Sequence, residues 1–170
     1  MKVNGHEQTE KPTASVINDN EKQLGTVEGK IRAIAVGLGV NYEFNDWTKG
    51  NVDLDKVPTP CIVYIQPPAG RLNFDRGIAK DYPDCGIAFL DRTDHDDDAV
   101  VEDNVVERMK RLAMRFIDAM NNSGWFEHIE GDVPYQVPID ELDSINSGIF
   151  LQFTPKEKKG IPMCDAQFKR

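Results

Sequence analysis

The stretch from Ala99 to Asn122 constrains this chain more than any other, because its apolar residues recur at the spacing of a helix. Val101, Val105, Met109, Leu112, Phe116 and Met120 fall three or four apart, and Val106, Ala113 and Ile117 widen the same stripe. One broad face is apolar and needs other elements to cover it. The charges agree with the direction of the helix. Asp96, Asp97, Asp98, Glu102 and Asp103 crowd its start, where the backbone amides favour anions, and Arg108, Lys110, Arg111 and Arg115 follow. Glu107 and Arg111 stand one turn apart and can pair. Asn121-Asn122-Ser123-Gly124 marks the end, with Gly124 suited to a left-handed cap and Trp125-Phe126 packing back on the last turn.

A chain of 170 residues with 39% hydrophobic and 29% charged content suits one domain with a substantial core. Its formal charge of -9 excludes a general nucleic-acid backbone binder, which needs a basic surface to displace phosphate counterions. An acidic surface is instead compatible with a basic protein partner, or with a wall past which DNA slides without sticking. Cys61, Cys85 and Cys164 are odd in number and show no CxxC spacing, so they read as reduced thiols of a cytosolic protein. No apolar core of signal-peptide type lies within residues 1–20 and no run reaches membrane length, so neither secretion by that route nor a membrane span is expected.

In chain order, residues 1–18 are polar and poor in aromatics and read as a flexible arm, with His6 solvated. A first helix is expected to begin at Asn18-Asp19-Asn20, carrying Leu24, Val27, Ile31, Ile34 and Leu38, weakened by Gly25 and Gly29 and closed by Gly37-Leu38-Gly39. Val40, Tyr42 and Phe44 alternate as a half-buried strand, and residues 45–60 form a long excursion. Cys61 to Ile65 is the best candidate for a central strand. Pro67-Pro68-Ala69-Gly70 ends that strand, and Leu72 and Phe74 offer a return strand, which predicts a hairpin whose tip projects around Pro67 to Phe74. Gly86 to Leu90 is a second buried strand, feeding through an acidic loop, Asp91 to Asp98, into the long helix. Tyr135, Val137 and Ile139 alternate, but Pro134 and Pro138 confine them to a sheet edge. Asp143 to Gly148 reads as a turn, Ile149 to Phe153 as the last strong strand, and residues 156–170 as a loose basic tail carrying Ile161, Met163 and Phe168.

The expected fold is a single α+β domain over residues 19–155, with a mostly antiparallel sheet of four to six strands and two helices packed on one face. Chemistry-bearing patterns are weak. Asp91, Asp94, Asp96, Asp97 and Asp98 with His95 could supply hard oxygen ligands to a divalent cation, but the EF-hand glycine and terminal glutamate are missing, and helix-start charge in a solvated loop is the expected reading. Gly37 and Gly39 lack the third glycine and following helix of a dinucleotide site. His128 has no nucleophile or second histidine at a catalytic spacing. No catalytic, cofactor or metal residues are assigned, and an enzyme is not expected.

The order of these elements, closing in Asn146-Ser147-Gly148-Ile149-Phe150-Leu151-Gln152-Phe153-Thr154, resembles the small tail-terminator and head-tail connector proteins of tailed bacteriophages and prophages. The resemblance covers residues 20–155 in element order and the last dozen of these in residue pattern. It implies a structural virion protein without catalytic residues. Such a protein forms a homo-oligomeric ring, a hexamer or a dodecamer, that contacts neighbouring virion proteins and lets DNA pass without specific binding. It would be found in the virion, and in the host cytoplasm during assembly. Pro67, Pro68, Arg71, Phe74, Ile161, Met163 and Phe168 are the expected interface residues. The competing expectation is a soluble acidic adaptor or inhibitor that binds a basic site on another protein.

Overall fold

Thr26 opens the first helix, α1 (Val27–Gly37): its backbone is extended and its hydroxyl accepts from the Gly29 amide at 3.0 Å. Residues 25–45, 57–93, 99–137 and 146–163 are described in a computed structural model of the chain. The helix start expected at Asn18 to Asn20 lies outside them, and so do the flexible arm, His95, Cys164 and Phe168. Leu38 caps α1 and Gly39, at φ +71°, turns the chain out of it. Strands β1 (Asn41–Asn45) and β2 (Cys61–Ile65) follow, then β3 (Gly70–Asp75), β4 (Ile78–Pro83) and β5 (Cys85–Arg92). The long helix α2 (Ala99–Asn122) precedes β6 (Tyr135–Gln136), β7 (Asn146–Phe153) and β8 (Ile161–Pro162).

The fold is α+β, with two mostly antiparallel sheets. The main sheet has the order β1-β2-β5-β7-β6, with β1 parallel to β2 and every other pairing antiparallel. Alternation sorts its residues between two faces. Ile62 and Tyr64 of β2, Cys85, Ile87 and Phe89 of β5, and Ile149 and Leu151 of β7 share one core with both helices. Cys61, Val63, Ile65, Ala88 and Leu90 form a smaller buried cluster on the other face, with Val57 and Phe150 against it. All five residues of β2 are buried, as a continuous apolar run requires.

The stripe on α2 packs as its spacing demands. Val105, Val106, Met109, Leu112, Ala113, Phe116 and Met120 are buried, and the Phe116 ring meets Phe89 edge to face at 5.5 Å. Gly124, at φ +73°, ends the helix region and Phe126 is fully buried beyond it. Glu107 pairs with Lys110 at 2.7 Å rather than with the Arg111 side-chain charge, since Arg111 donates to the Glu107 carbonyl. Arg108 reaches across to Asp91 of β5 at 2.9 Å.

Three expectations are corrected. The hairpin does not turn at Pro67 to Phe74: β2 pairs with β1 and β5, the two prolines lead the chain out of the main sheet, and β3 pairs with β4 instead. The actual turn is Arg76-Gly77, both with positive φ, which is the backbone a two-residue hairpin turn needs. Asn146 to Gly148 are strand rather than turn, because the β5 ladder continues through Leu90, Asp91 and Arg92 to pair with them. Gly148 allows this, since a Cβ there would collide with the Phe89 carbonyl oxygen. Finally, residues 156–163 are not a loose tail. Phe126 and Glu157 form a bridge, the Glu127 amide donates to the Lys156 carbonyl at 2.7 Å, and β8 pairs with β4.

Candidate functional site

β3, β4 and β8 form a three-stranded sheet separate from the main one. Its register places Phe74, Ala79 and Ile161 in one row across the strands, with Asp75, Ile78 and Pro162 in the next. Side chains in a row share a face, and residues two apart along a strand share it too. Leu72 therefore joins Phe74 and Ile161, and Met163, whose amide donates to the Gly77 carbonyl at 2.8 Å, continues that side. Leu72 is 66% exposed, Phe74 61%, Ile161 54% and Met163 51%. All six residues of β3 are exposed. The result is an arm whose apolar face no described residue covers.

The base of the arm is held firmly. Lys30 of α1 forms a buried ion pair with Oε1 of Glu157, and Oε2 of Glu157 accepts from the Asp81 amide of β4 at 2.9 Å. One carboxylate thus ties helix, arm and the closing segment together. The Asp81 carboxyl has its pKa raised above the ordinary 3.8 by loss of water and by the Glu157 charge beside it. Gly160 lies so close to the Ala79 carbonyl that a Cβ would collide with it, and a Cβ on Gly70 would meet Pro83 at 2.9 Å. Asp84 accepts from the Thr154 hydroxyl at 2.7 Å and its amide donates to the Ala69 carbonyl at 2.9 Å.

Of the residues expected at an interface, the structure brings Phe74, Ile161 and Met163 to one arm; Arg71 lies on β3 of the same arm, and Pro67 and Pro68 lie in the connection that leads into it. Phe168 lies outside the described residues. Leu72 was missed as a contact residue, although its alternation with Arg71 and Asn73 signals a strand with one apolar side. Nothing in the sequence of residues 78–83 marks β4 as the partner that aligns them.

Among the described residues, Cys61 and Cys85 are free thiols buried in the core. The Tyr64 hydroxyl and the Cys85 thiol touch at 3.2 Å inside the core, and burial pushes Cys85 up to about 12 and Cys61 up to about 11. His128 is exposed. Among the described residues no group of three or more histidine, cysteine, aspartate or glutamate side chains is placed to hold a metal ion, and Asp94 to Asp98 lie outside them. Among the described residues no helix is long and apolar enough to cross a membrane. No protein-family model matches the chain, and no curated protein or solved structure matches it.

Proposed function

We propose that the chain is a structural subunit of a tailed-phage particle, a tail-terminator or head-tail connector protein that works by forming a ring with copies of itself and contacting neighbouring virion proteins. The observation that carries this reading is the arm: Leu72 and Phe74 of the exposed strand β3, joined by Ile161 and Met163, present an apolar face that the described residues leave uncovered. A contiguous exposed apolar patch is characteristic of surfaces that contact other proteins. The order of elements, from a leading helix to a closing strand, is what supports the likeness to those phage proteins. An acidic chain suits a channel through which DNA passes without specific binding.

The acidic adaptor reading needs an acidic docking face, whereas the exposed arm is apolar and carries Arg71, Arg76 and Lys80 against Asp75 and Asp81. Labelled antibody imaging of purified particles tests the proposal. Signal at one end of the tail or at the neck is the expected result. Particles that contain no such signal, from cells that make the chain, would overturn it.

A further inference from the structure

We infer that β3 pairs antiparallel with β3 of a second copy of this chain, about a two-fold axis at Asn73, so that the two arms join edge to edge into one continuous sheet. Among the described residues β3 pairs with β4 alone, and all six of its residues are exposed. Which backbone groups face its open side follows from the register. The Asp84 amide donates to the Ala69 carbonyl, and Arg76-Gly77 closes the hairpin on the pair Asp75 and Ile78. Hydrogen-bonded pairs alternate along an antiparallel ladder, so Arg71, Asn73 and Asp75 turn their N–H and C=O groups to β4, and Leu72 and Phe74 turn theirs outward. The Asp81 amide, opposite Leu72, has the matching phase: it points away from β3 and donates to Glu157. No proline interrupts β3 and its ladder with β4 carries no bulge, two devices that blunt edge strands against pairing.

The strand is self-complementary in one register. Set antiparallel to itself about Asn73, it places Arg71 opposite Asp75 of the second copy and Asp75 opposite the second Arg71, while Leu72 and Phe74 stand opposite one another on both sides of the axis. The outward N–H and C=O groups of Leu72 and Phe74 then meet as hydrogen-bonded pairs, and the charged residues take the closer, non-hydrogen-bonded positions. A slip of one residue would set outward groups against groups already bonded to β4, and a slip of two would lose both opposite-charge pairs. The apolar face is extended as well, because the row Ile161, Ala79, Phe74 runs on into Leu72 of the second copy. Within one chain the Asp75 carboxylate lies 4.0 Å from Arg76, both well exposed, so that contact does not hold it. A two-fold contact closes on a pair, whereas a ring needs contact between unlike surfaces, so the inference goes beyond the role proposed above and does not rest on it.

The test uses the full chain with Cys164→Ser, which leaves Cys61 and Cys85, both buried, as its native thiols. Sedimentation of this parent should show concentration-dependent association. Adding Asn73→Cys places two thiols across the axis at a Cα separation of about 4.5 Å, which a disulfide spans, and mild oxidation should link the chains in pairs. Arg71→Cys, which stands opposite Asp75 and not opposite itself, should link at least about tenfold less. On the Asn73→Cys background, Arg71→Asp or Asp75→Arg alone sets like charges opposite one another and should cut linking at least about tenfold, and mixing those two variants should restore it, because each then meets the opposite charge. All three positions are exposed, so the fold is kept, as an unchanged cooperative melt verifies. A parent that stays monomeric at every concentration, equal linking by Asn73→Cys and Arg71→Cys, or linking indifferent to the charge variants overturns the inference, as does a mixture that fails to restore it. Particle imaging reports separately on the virion role, so a failed pairing and a failed role are told apart.

Discussion

Replacing Lys30 with methionine removes one half of a buried pair and leaves the other half in place. Lys30 and Glu157 are 8% and 3% exposed, so the Glu157 carboxylate in the variant keeps only the Asp81 amide as a partner and has little access to water. Breaking such a pair on one side costs about 3 to 5 kcal/mol, mostly as an uncompensated buried charge. For a domain of this length each kcal/mol lowers the midpoint by about 2 to 4 °C, so a fall of roughly 6 to 20 °C is expected. Removing both charges tells a different story. In Lys30→Met/Glu157→Gln the amide oxygen still accepts from the Asp81 N–H and no charge is left buried, so most of the loss should be recovered. Differential scanning calorimetry of the two single variants and the double variant gives the coupling directly. A midpoint within about 2 °C of the parent for Lys30→Met, or losses that simply add in the double variant, would refute the claim that this carboxylate ties α1 to the arm.

Phe116→Ala should cost about 3 to 5 kcal/mol, because the ring is fully buried against Phe89, whereas Met114→Ala on the exposed side of α2 should cost less than about 0.5 kcal/mol in the same denaturant titration. Asp81 has a raised pKa in the folded chain, so the fold binds that proton more tightly than the unfolded state does. Its contribution is fully present below 3.8 and is lost as pH rises through the folded value. Asp81→Asn should therefore flatten that part of the stability curve and melt slightly above the parent at neutral pH. Cys61 and Cys85, buried and held protonated, should resist an aqueous maleimide at neutral pH and react once the chain is denatured; fast labelling of either would refute their placement. A chain cut after Pro155 loses Glu157 and β8 and should melt well below the parent by circular dichroism.

The main sheet and both helices were legible because each buries one side. Phe116 and Met120 lie where the spacing of α2 put them, β2 is buried throughout as its unbroken apolar run required, and Tyr135 sits on the edge strand that directly follows Pro134. Elements without such a period were not legible. Residues 78–83 mix isoleucine, alanine, lysine, aspartate, tyrosine and proline without strict alternation, so β4 gave no signal and β3 was paired with the wrong neighbour. The run Lys156 to Gly160 reads as solvated charge, yet Glu157 is buried, because its partner Lys30 lies 127 residues away and no local pattern reports that distance.

The candidate interface was legible residue by residue but not as a surface. Phe74 and Ile161 stand out as apolar residues in polar surroundings, yet only the register through Ala79 aligns them. That alignment needs Gly160, where any side chain would strike the Ala79 carbonyl, and Gly70, where a Cβ would press on Pro83. Two tight backbone approaches and a buried ion pair thus hold in place a sheet whose outer strand buries nothing. If β3 served only the stability of its own chain, its leucine and phenylalanine would lose free energy by facing water, each by about 1.5 to 3 kcal/mol relative to burial. Fixing an uncovered apolar face on a rigid base costs the monomer stability, and the same rigidity removes the ordering cost from a later contact. The arrangement makes physical sense when the cover comes from outside the described residues.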